Sequence, residues 1–360
     1  RFSLFYPEKR QFFIENSDLF ARFGFRQIRP FFSRRIGLNN GNTVPILGGA
    51  RLSGKINNKW RIGLMNMQTE GVAKTAETAA IKAENYAVAA IQRTIGKRSS
   101  LDGIFVNRQG IINKNIDDAD YNRVVGIDYN LRSSSNKWLG KAFYHRAFSP
   151  NIKGNDYAHA TWLMYNTEKI TAQWNHEYVG ENYRADVGFV PRVSQYNTTT
   201  NKYVYLSYWR FEPSIDYRFY PKSKTIQNYQ IGTHLSEYLN ENYQESERSL
   251  DANFTINFIS QSKIRLKVYN NNVLLNFPTD VTFAGNTPLD SGMYLFNNAT
   301  LAYNSSKFKI FSYKISGNYG NYYIGKKLTS SASINYRVQP WGKFSLNINQ
   351  DKIWLPDGYS

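Results

Sequence analysis

The stretch ILGGARLSGKINNKWRIGL, residues 46–64, contains the pattern that decides the fold. Every second residue from 46 to 56 is apolar or small, and Arg51, Ser53 and Lys55 between them are polar. An alternation of period two is typical of β-strands that have one apolar and one polar face. The pattern resumes after Asn57-Asn58, and asparagine tolerates the positive φ of a tight two-residue turn. The stretch therefore predicts an antiparallel hairpin.

The same alternation recurs along the rest of the chain, most clearly at 250–258, 263–268 and 332–338. Many runs have 10 to 15 residues, which exceeds the usual soluble strand of about 5–6 and suits a membrane strand of about 9–11. No apolar run approaches the ~20 residues of a membrane helix. The candidate strands are 46–56, 59–69, 82–96, 102–109, 121–132, 137–148, 156–165, 169–180, 187–193, 202–211, 214–220, 226–239, 248–259, 263–277, 292–304, 307–318, 322–337 and 343–353.

The prediction for the fold class is all-β: a large antiparallel transmembrane β-barrel of at least about 16 strands. A β-sandwich would have shorter strands, and a β-propeller would show a blade repeat, which the sequence lacks. The many aromatic residues (27 Tyr, 23 Phe and 7 Trp) alternate with polar ones, as expected for side chains that face lipid or an interfacial girdle.

The formal net charge of +18 raises nucleic-acid binding as an alternative. The basic residues are scattered through the strands, which disfavours that alternative and favours a cationic lumen or contact with anionic headgroups. We therefore expect outer-membrane lipid and lipopolysaccharide as partners, together with other outer-membrane or periplasmic proteins, and no nucleic acid. The absence of cysteine excludes disulfides and thiolate metal sites.

Residues 1–43 differ from the rest, since they lack sustained alternation and are rich in aromatic and basic residues. We predict two parts, an irregular segment at 1–43 and the barrel at 44–360. The predicted connections alternate in length: 57–58, 133–136 and 260–262 are short, and 70–80, 110–120, 149–155, 240–247 and 278–291 are long. This order is typical of outer-membrane barrels, whose periplasmic turns are short and outer loops long. A segment that reaches strand one from the periplasm must cross inside the barrel, so 1–43 is predicted to plug the lumen.

The plug hypothesis names two groups of residues. Charges inside a lumen need partners, so the predicted plug anchors are Glu8, Lys9, Arg10, Arg34 and Arg35. Small residues in a strand let another segment pack closely, so the predicted docking surface for the plug consists of Gly48, Gly49 and Gly54.

The segments FYPEKRQFFIENSDLF (5–20), FFSRRIG (31–37) and VPILGGARLSGK (44–55) carry a resemblance to a known family. They resemble the C-terminal β-barrel domain of Bacteroidota outer-membrane proteins, here called the DUF5916 family, and VGFVPR (187–192) and LPDGYS (355–360) agree with it. Its members carry a family 9 carbohydrate-binding-like domain at the N-terminus. The resemblance implies a barrel in the bacterial cell outer membrane, a lost preceding domain and C-terminal strands beyond Ser360.

Motifs for catalysis are absent from the sequence: it contains no HExxH, nucleophile elbow, P-loop or GxGxxG. By the alternation, His159 and His176 should point to opposite faces, which disfavours a shared metal site, and we expect no metal, no cofactor and no enzyme activity. Glu8 and Glu15 could be cast as a glycosidase pair, but nearby basic residues favour anchoring.

Three functions follow in order of preference. The first is transport or binding of a substrate, by family association saccharide-related, across the outer membrane. The second is a structural anchor or subunit of a larger outer-membrane complex. The third is a carbohydrate-active hydrolase.

Overall fold

The computed structural model describes residues 8–39, 41–74, 80–197 and 200–356. It is all-β, with 65% strand and 4% helix, and the described residues contain a large antiparallel sheet of 17 strands. This confirms the predicted all-β class and the predicted minimum strand number. The helical pieces are short: α1 (Gln11–Ile14), α2 (Asp18–Ala21) and the 3-10 turns Ser33–Arg35 and Pro191–Val193.

Two short strand pairs lie outside the large sheet. The short pairs are β1 (Leu38–Asn39) with β2 (Asn42–Thr43), and β11 (Ser194–Asn197) with β12 (Lys202–Tyr205). The large sheet comprises β3 (Ile46–Lys55), β4 (Trp60–Thr69), β5 (Ala83–Ile95), β6 (Ser99–Ile112), β7 (Asn115–Arg132), β8 (Trp138–Phe148), β9 (Tyr157–Asn166), β10 (Ile170–Val179), β13 (Tyr208–Phe211), β14 (Ser214–Phe219), β15 (Ile226–Leu239), β16 (Glu245–Phe258), β17 (Lys263–Leu275), β18 (Gly292–Asn304), β19 (Phe311–Tyr322), β20 (Gly325–Val338) and β21 (Gly342–Trp354).

The chain divides into two compact units. Unit 1 consists of Arg1–Leu163, His176–Gln195 and Tyr203–Trp209. Unit 2 consists of Met164–Asn175, Tyr196–Lys202 and Arg210–Ser360. The N-terminal segment, which we define as residues 8–37, therefore belongs to the same unit as strands β3 to β8.

The sheet of unit 1 has two chemically distinct faces. One row of paired residues across β4 to β8 is almost fully buried: Met65, Val88, Val106, Val124 and Ala147. On the opposite face, Leu64, Phe105 and Val125 are 40–49% exposed. One face of the sheet is therefore covered by other residues of unit 1, and the apolar face is exposed, as the alternation in the sequence predicts.

The sheet of unit 2 shows a sharper contrast between its faces. A row of paired residues across β14 to β18 is apolar and exposed: Tyr217, Ile231, Phe254, Leu266 and Leu301. The adjacent row on the other face is polar or small: Asp216, Gly232, Asn253, Lys267 and Thr300. This is the reverse of a water-soluble sheet, whose exposed face would carry the polar residues.

The first hairpin forms with the predicted faces but with a different turn. Leu52 pairs with Leu64 on the exposed face, and Arg51 and Ser53 lie on the other one. The turn is longer than two residues, because the backbone N–H of Ile56 donates to the Trp60 carbonyl. The Asn57 side chain closes it by accepting hydrogen bonds from the N–H groups of residues 59 and 60. Asn57 therefore stabilises the turn through its side-chain oxygen. The prediction of a positive φ in the Asn57-Asn58 turn is wrong, because neither residue has one.

Two further boundary predictions are wrong. The predicted long loop 110–120 is mostly strand, since β6 and β7 continue to a two-residue turn at Asn113-Lys114, both with positive φ. The predicted strand 187–193 is irregular and ends in a 3-10 turn. Its alternation has another cause: Val187 and Phe189 are buried because the N-terminal segment bonds to them, with the Phe32 N–H donating to the Val187 carbonyl at 2.6 Å.

Candidate functional site

The N-terminal segment packs on the covered face of the unit 1 sheet. Leu19 and Phe20 of α2 are buried, and they lie over Gly63 of β4. A Cβ built on Gly63 would stand 2.5 Å from the Phe20 ring and 2.9 Å from Leu19. A side chain at position 63 would therefore require the buried Phe20 and Leu19 side chains to shift, and these two residues pack against the strand there.

A buried polar cluster joins the segment to β6, β7 and β8. The Asp128 carboxylate lies 2.7 Å from His145 Nε2 and 2.9 Å from Lys141 Nζ, and it accepts a hydrogen bond from the Gly24 N–H at 2.8 Å. The Lys141 ammonium also donates to the carbonyl oxygen of Arg22. Because the side chains of Asp128 and His145 are fully buried, this carboxylate depends on these donors for all of its solvation.

A second carboxylate on the same face of the sheet, that of Asp102 in β6, binds the Arg22 side chain of the segment. Arg22 Nε lies 3.0 Å from Asp102 Oδ2, which also accepts a hydrogen bond from the Asn130 amide at 2.7 Å. The Asp102 side chain is fully buried, and Arg22 Nη2 donates to Ser100. Two strands thus bind residues 22–24 through buried charges, and removal of one partner would leave an uncompensated charge.

Three polar contacts fasten α1 and α2 at their exposed edge. Arg61 Nη1 lies 2.7 Å from Asp18, Arg51 Nη2 lies 3.2 Å from Glu15, and the Asn16 amide donates to Ser53 Oγ at 3.2 Å. The acids of these pairs are largely exposed, so each ion pair contributes about 1 kcal/mol at most. These exposed contacts orient the segment, and the buried charges around Asp128 and Asp102 attach it to the sheet.

The predicted anchors act mainly within the segment. Arg10 pairs with Glu8 at 2.8 Å and donates to the backbone carbonyls of Ser33 and Ile36, and Ser33 Oγ donates to Glu8 at 2.7 Å. These bonds fold the start of the segment back onto its end. Lys9 is exposed and Arg34 half-buried. Arg35 Nε donates to the Gly188 carbonyl at 3.0 Å, which joins the segment to the 180–190 loop.

The glycines predicted as the docking surface lie elsewhere. A Cβ on Gly48 or Gly54 would meet nothing within 4 Å, and one on Gly49 would strike Met67 and Asn66 of the neighbouring strand. Gly49 therefore serves the close pairing of β3 with β4 beside the register shift at 46–48. The glycine that receives the segment is Gly63, which the sequence pattern placed within a strand without distinguishing it.

A cavity of about 610 Å³ opens in unit 1 beside the segment. Arg35, Arg108 and Arg184 line it together with Glu84, Asp186 and Tyr86, and Tyr205 completes one side. The Arg184 guanidinium stacks on the Tyr205 ring, 4.3 Å from its centroid. Among the described residues, Arg184 Nε is buried without a hydrogen-bond partner. The lining combines charge, hydroxyl groups and an aromatic face.

Arg108 is the electrostatic centre of this cavity. Its guanidinium contacts three carboxylates: Glu84 at 2.8 Å, Asp120 at 2.7 Å and Asp186 at 3.1 Å. Asp120 is shared with Lys82, which also pairs with Asp117. Since Asp186 belongs to the 180–190 loop, the network fixes that loop to β5, β6 and β7 on one side of the cavity.

The prediction that His159 and His176 point to opposite faces is wrong. Their ring centroids are 5.1 Å apart, and both rings lie within 6.1 Å of the Trp209 ring. The error came from Ala158 and Ala160, which were assigned to the apolar face although they are buried on the covered one. Alanine is small enough for either face. Among the residues that the structure describes, no group of three His, Asp or Glu side chains could hold a metal ion.

The comparisons with known proteins found no relative. No protein-family model matches the chain, and neither a curated protein nor a solved structure matches it significantly. Within the described ranges, no helix is long and apolar enough to span a membrane.

The residues that hold the segment to the sheet were missed by the reasoning from sequence. The sequence analysis predicted none of these residues as an anchor: Arg22, Asp102, Asp128, Lys141 and His145. A usable signal was present, because an acid or histidine in the middle of a long alternating strand requires a buried partner. The sequence does not show which partner that is, since the contact between Gly24 and Asp128 spans 104 positions.

Proposed function

We propose that the chain is a transmembrane β-barrel of the bacterial outer membrane, with residues 8–37 as a plug inside the lumen. The observation that carries the proposal is the chemical difference between the two faces of the sheet. In each unit one face is exposed and apolar, and in unit 1 the segment packs on the opposite face. Exposed rows of large apolar side chains are costly in water and are expected on the lipid side of such a barrel.

Strand length supports the same proposal. The strands from β15 to β21 have 12 to 14 residues each. A tilted strand needs about 9–11 residues to cross the hydrocarbon core, so each is long enough to cross and to project beyond it. A closed barrel of the observed strand number would enclose a lumen wide enough for a plug and an aqueous path.

The activity that we propose is binding or passage of a polar solute through this lumen. The cavity beside the plug supports it, because its arginines and carboxylates can hydrogen-bond several hydroxyl groups and Tyr205 offers an aromatic face. These are the groups that a saccharide requires, which agrees with the resemblance to the DUF5916 family. Membership in that family and contacts with lipopolysaccharide belong to the proposal as well.

Single-channel conductance with a lockable plug tests the proposal. The variant Asn16→Cys with Ser53→Cys places a thiol pair where two side chains already hydrogen-bond, and the chain has no other cysteine. In planar bilayers, mild urea should loosen the plug and raise the current of the reduced variant, and oxidation should abolish that rise. Absence of current from folded, inserted protein in every state would contradict passage.

A matched control links two strands instead of plug and strand. Ser249 and Asn271 are paired across β16 and β17, and their side chains are hydrogen-bonded at 2.8 Å. The variant Ser249→Cys with Asn271→Cys should show the same urea-induced current before and after oxidation. A loss of current in this control would mean that oxidation itself closes the protein.

A structural anchor is the second candidate function, and the cluster around Asp128 favours it. A plug held by buried charges resists displacement, as an anchor or complex subunit would require. In the experiment above, this candidate predicts no current in urea at concentrations that leave the sheet folded.

A further inference from the structure

A second cavity, in unit 2, is lined almost entirely by basic and neutral polar residues. It measures about 460 Å³ and lies where β18 to β21 meet the turn at 305–310. Its basic residues come from three strands and the turn, and they are Lys307, Lys309, Lys314, Arg337 and Lys343. Asn304, Ser305, Ser312, Ser333 and Asn335 supply neutral hydrogen-bonding groups. Within the part of the chain that the structure describes, no carboxylate lines the cavity.

The register places the charged side chains on one face of the sheet. Tyr313 pairs with Ile334, and Tyr336 with Phe344, on the exposed apolar face. Lys314, Arg337 and Lys343, each displaced by one position, therefore point to the opposite, polar face. Lys263 and Arg265 of β17 lie on this polar face too, beside Asn304 and Ala302. Seven cationic groups thus converge at one end of the sheet.

Acidic partners are missing where they would be expected. Lysines further along the same polar face are paired: Lys267 with Asp251 at 3.1 Å and Lys327 with Asp351 at 3.0 Å. Among the described residues, no carboxylate forms an ion pair with any of the seven groups. Like charges gathered without counter-charges repel one another in the folded protein, so an anion would stabilise the arrangement.

The backbone of the turn is held in place by hydrogen bonds to the neighbouring strands, and Arg337 Nη2 also donates to the Lys307 carbonyl at 3.4 Å. The Ser305 N–H donates to the Tyr313 carbonyl at 2.8 Å, and the Tyr313 N–H donates to Ser305 Oγ at 2.7 Å. The Arg337 N–H donates to the Ile310 carbonyl at 2.9 Å. The turn is therefore tied to β19 and β20, and the lysines project from a fixed frame.

We propose that this cavity binds a multiply charged phosphate anion. Lysine ammonium groups act as point charges toward phosphate oxygens, and hydroxyl and amide groups complete the hydrogen bonds to such oxygens. Arginine forks recognise carboxylate and phosphate alike, whereas lysine acts as a point charge, so a lysine-rich cavity suits a compact anion that carries several charges. The inference does not rest on the proposed transport function, because all of its residues belong to unit 2.

Titration calorimetry with tripolyphosphate tests the site, using the full chain in neutral detergent. The variant Lys307→Gln, Lys314→Gln, Arg337→Gln should bind at least about tenfold more weakly than the parent, since it lacks three of the charged donors that line the cavity. Citrate should bind the parent about tenfold more weakly than tripolyphosphate. Equal affinity for the two anions would overturn the assignment to phosphate.

The matched control removes three charges elsewhere in unit 2. The variant Lys222→Gln, Lys224→Gln, Lys326→Gln changes exposed lysines outside the cavity and should retain the parent's affinity. A loss equal to that of the cavity variant would show that only net charge matters and would overturn the proposal. So would an absence of binding by the folded parent.

The source of the phosphate is distinguished in lipid nanodiscs. The polar-face position favours a soluble anion, which predicts that tripolyphosphate binds equally in phosphatidylcholine discs and in discs that contain phosphatidylglycerol. A signal that is retained in the first discs and lost in the second would assign the same site to a lipid phosphate. A signal absent from both would overturn the proposal.

Discussion

The Asp128 carboxylate of β7 lies 2.7 Å from His145 Nε2 of β8, and both side chains are fully buried beneath residues 22–24. The adjoining Lys141 ammonium and Gly24 N–H complete the shell around this carboxylate. These contacts join the N-terminal segment to the sheet in a buried region, where water cannot replace a lost hydrogen-bond partner.

Substitution Asp128→Asn is expected to destabilise the protein by about 3–5 kcal/mol, because Lys141 and His145 would lose a buried charged partner. Urea unfolding followed by segment-specific hydrogen exchange measures this. Asp118→Asn, an exposed position on the same strand, should change the free energy of unfolding by less than about 0.5 kcal/mol. Equal effects of the two substitutions would contradict the role given to Asp128.

Substitution Gly63→Ala is expected to cost about 1–3 kcal/mol, because the added methyl group would overlap the Phe20 ring. Gly54→Ala lies in the same hairpin, and its methyl group would meet nothing within 4 Å. It should be neutral or slightly stabilising. Thermal unfolding of both variants provides the comparison, and an unaffected Gly63→Ala variant would show that the segment does not pack there.

The contact between the two ends of the segment, residues 8–10 and 33–36, should depend on pH through Glu8. Burial alone would raise the pKa of Glu8, but hydrogen bonds from Arg10 and Ser33 outweigh it and lower the pKa from 4.5 to about 2. A lowered pKa in the folded state means that the stabilisation is complete above pH 4.5 and is lost as pH falls toward 2. After division by the intrinsic exchange rate at each pH, the hydrogen exchange of residues 33–36 should accelerate over that interval.

Two variants isolate this effect. Glu8→Gln should abolish the acceleration between pH 4.5 and 2. Glu15→Gln should leave it unchanged, because the Glu15 side chain is 78% exposed. The same pH profile in the Glu8→Gln variant as in the parent would exclude Glu8 as the titrating group.

The sequence predicted the fold where alternation combined with large side chains. In β16, Leu250 and Phe254 face one side and Asp251 and Asn253 the other, as the pattern indicated. It failed at Ala158 and Ala160, because alanine carries little information about its face. It also failed at 187–189, where contact with the N-terminal segment produced an alternation that resembles a strand.

The site was less predictable than the fold, for a physical reason. Arg22 and Asp102 are 80 positions apart in the numbering of the chain, so no local spacing in the sequence connects them. Glu8 and Arg10 were noticed because their charges lie close together in sequence, and they act mainly on each other and on 33–36. Reasoning from local patterns therefore identified the contacts within the segment and missed the contacts that attach it to the sheet.

The orientation of the two faces in a bilayer is the most direct test of the account. Single cysteines, each spin-labelled, can be placed at Ile231, Phe254 and Leu266 on the apolar face and at Gly232, Asn253 and Lys267 on the polar face. Collisions with oxygen, which partitions into lipid, should dominate at the first three positions, and collisions with a water-soluble nickel complex at the others. Uniform accessibility across the six positions, or the reverse order, would contradict a transmembrane barrel.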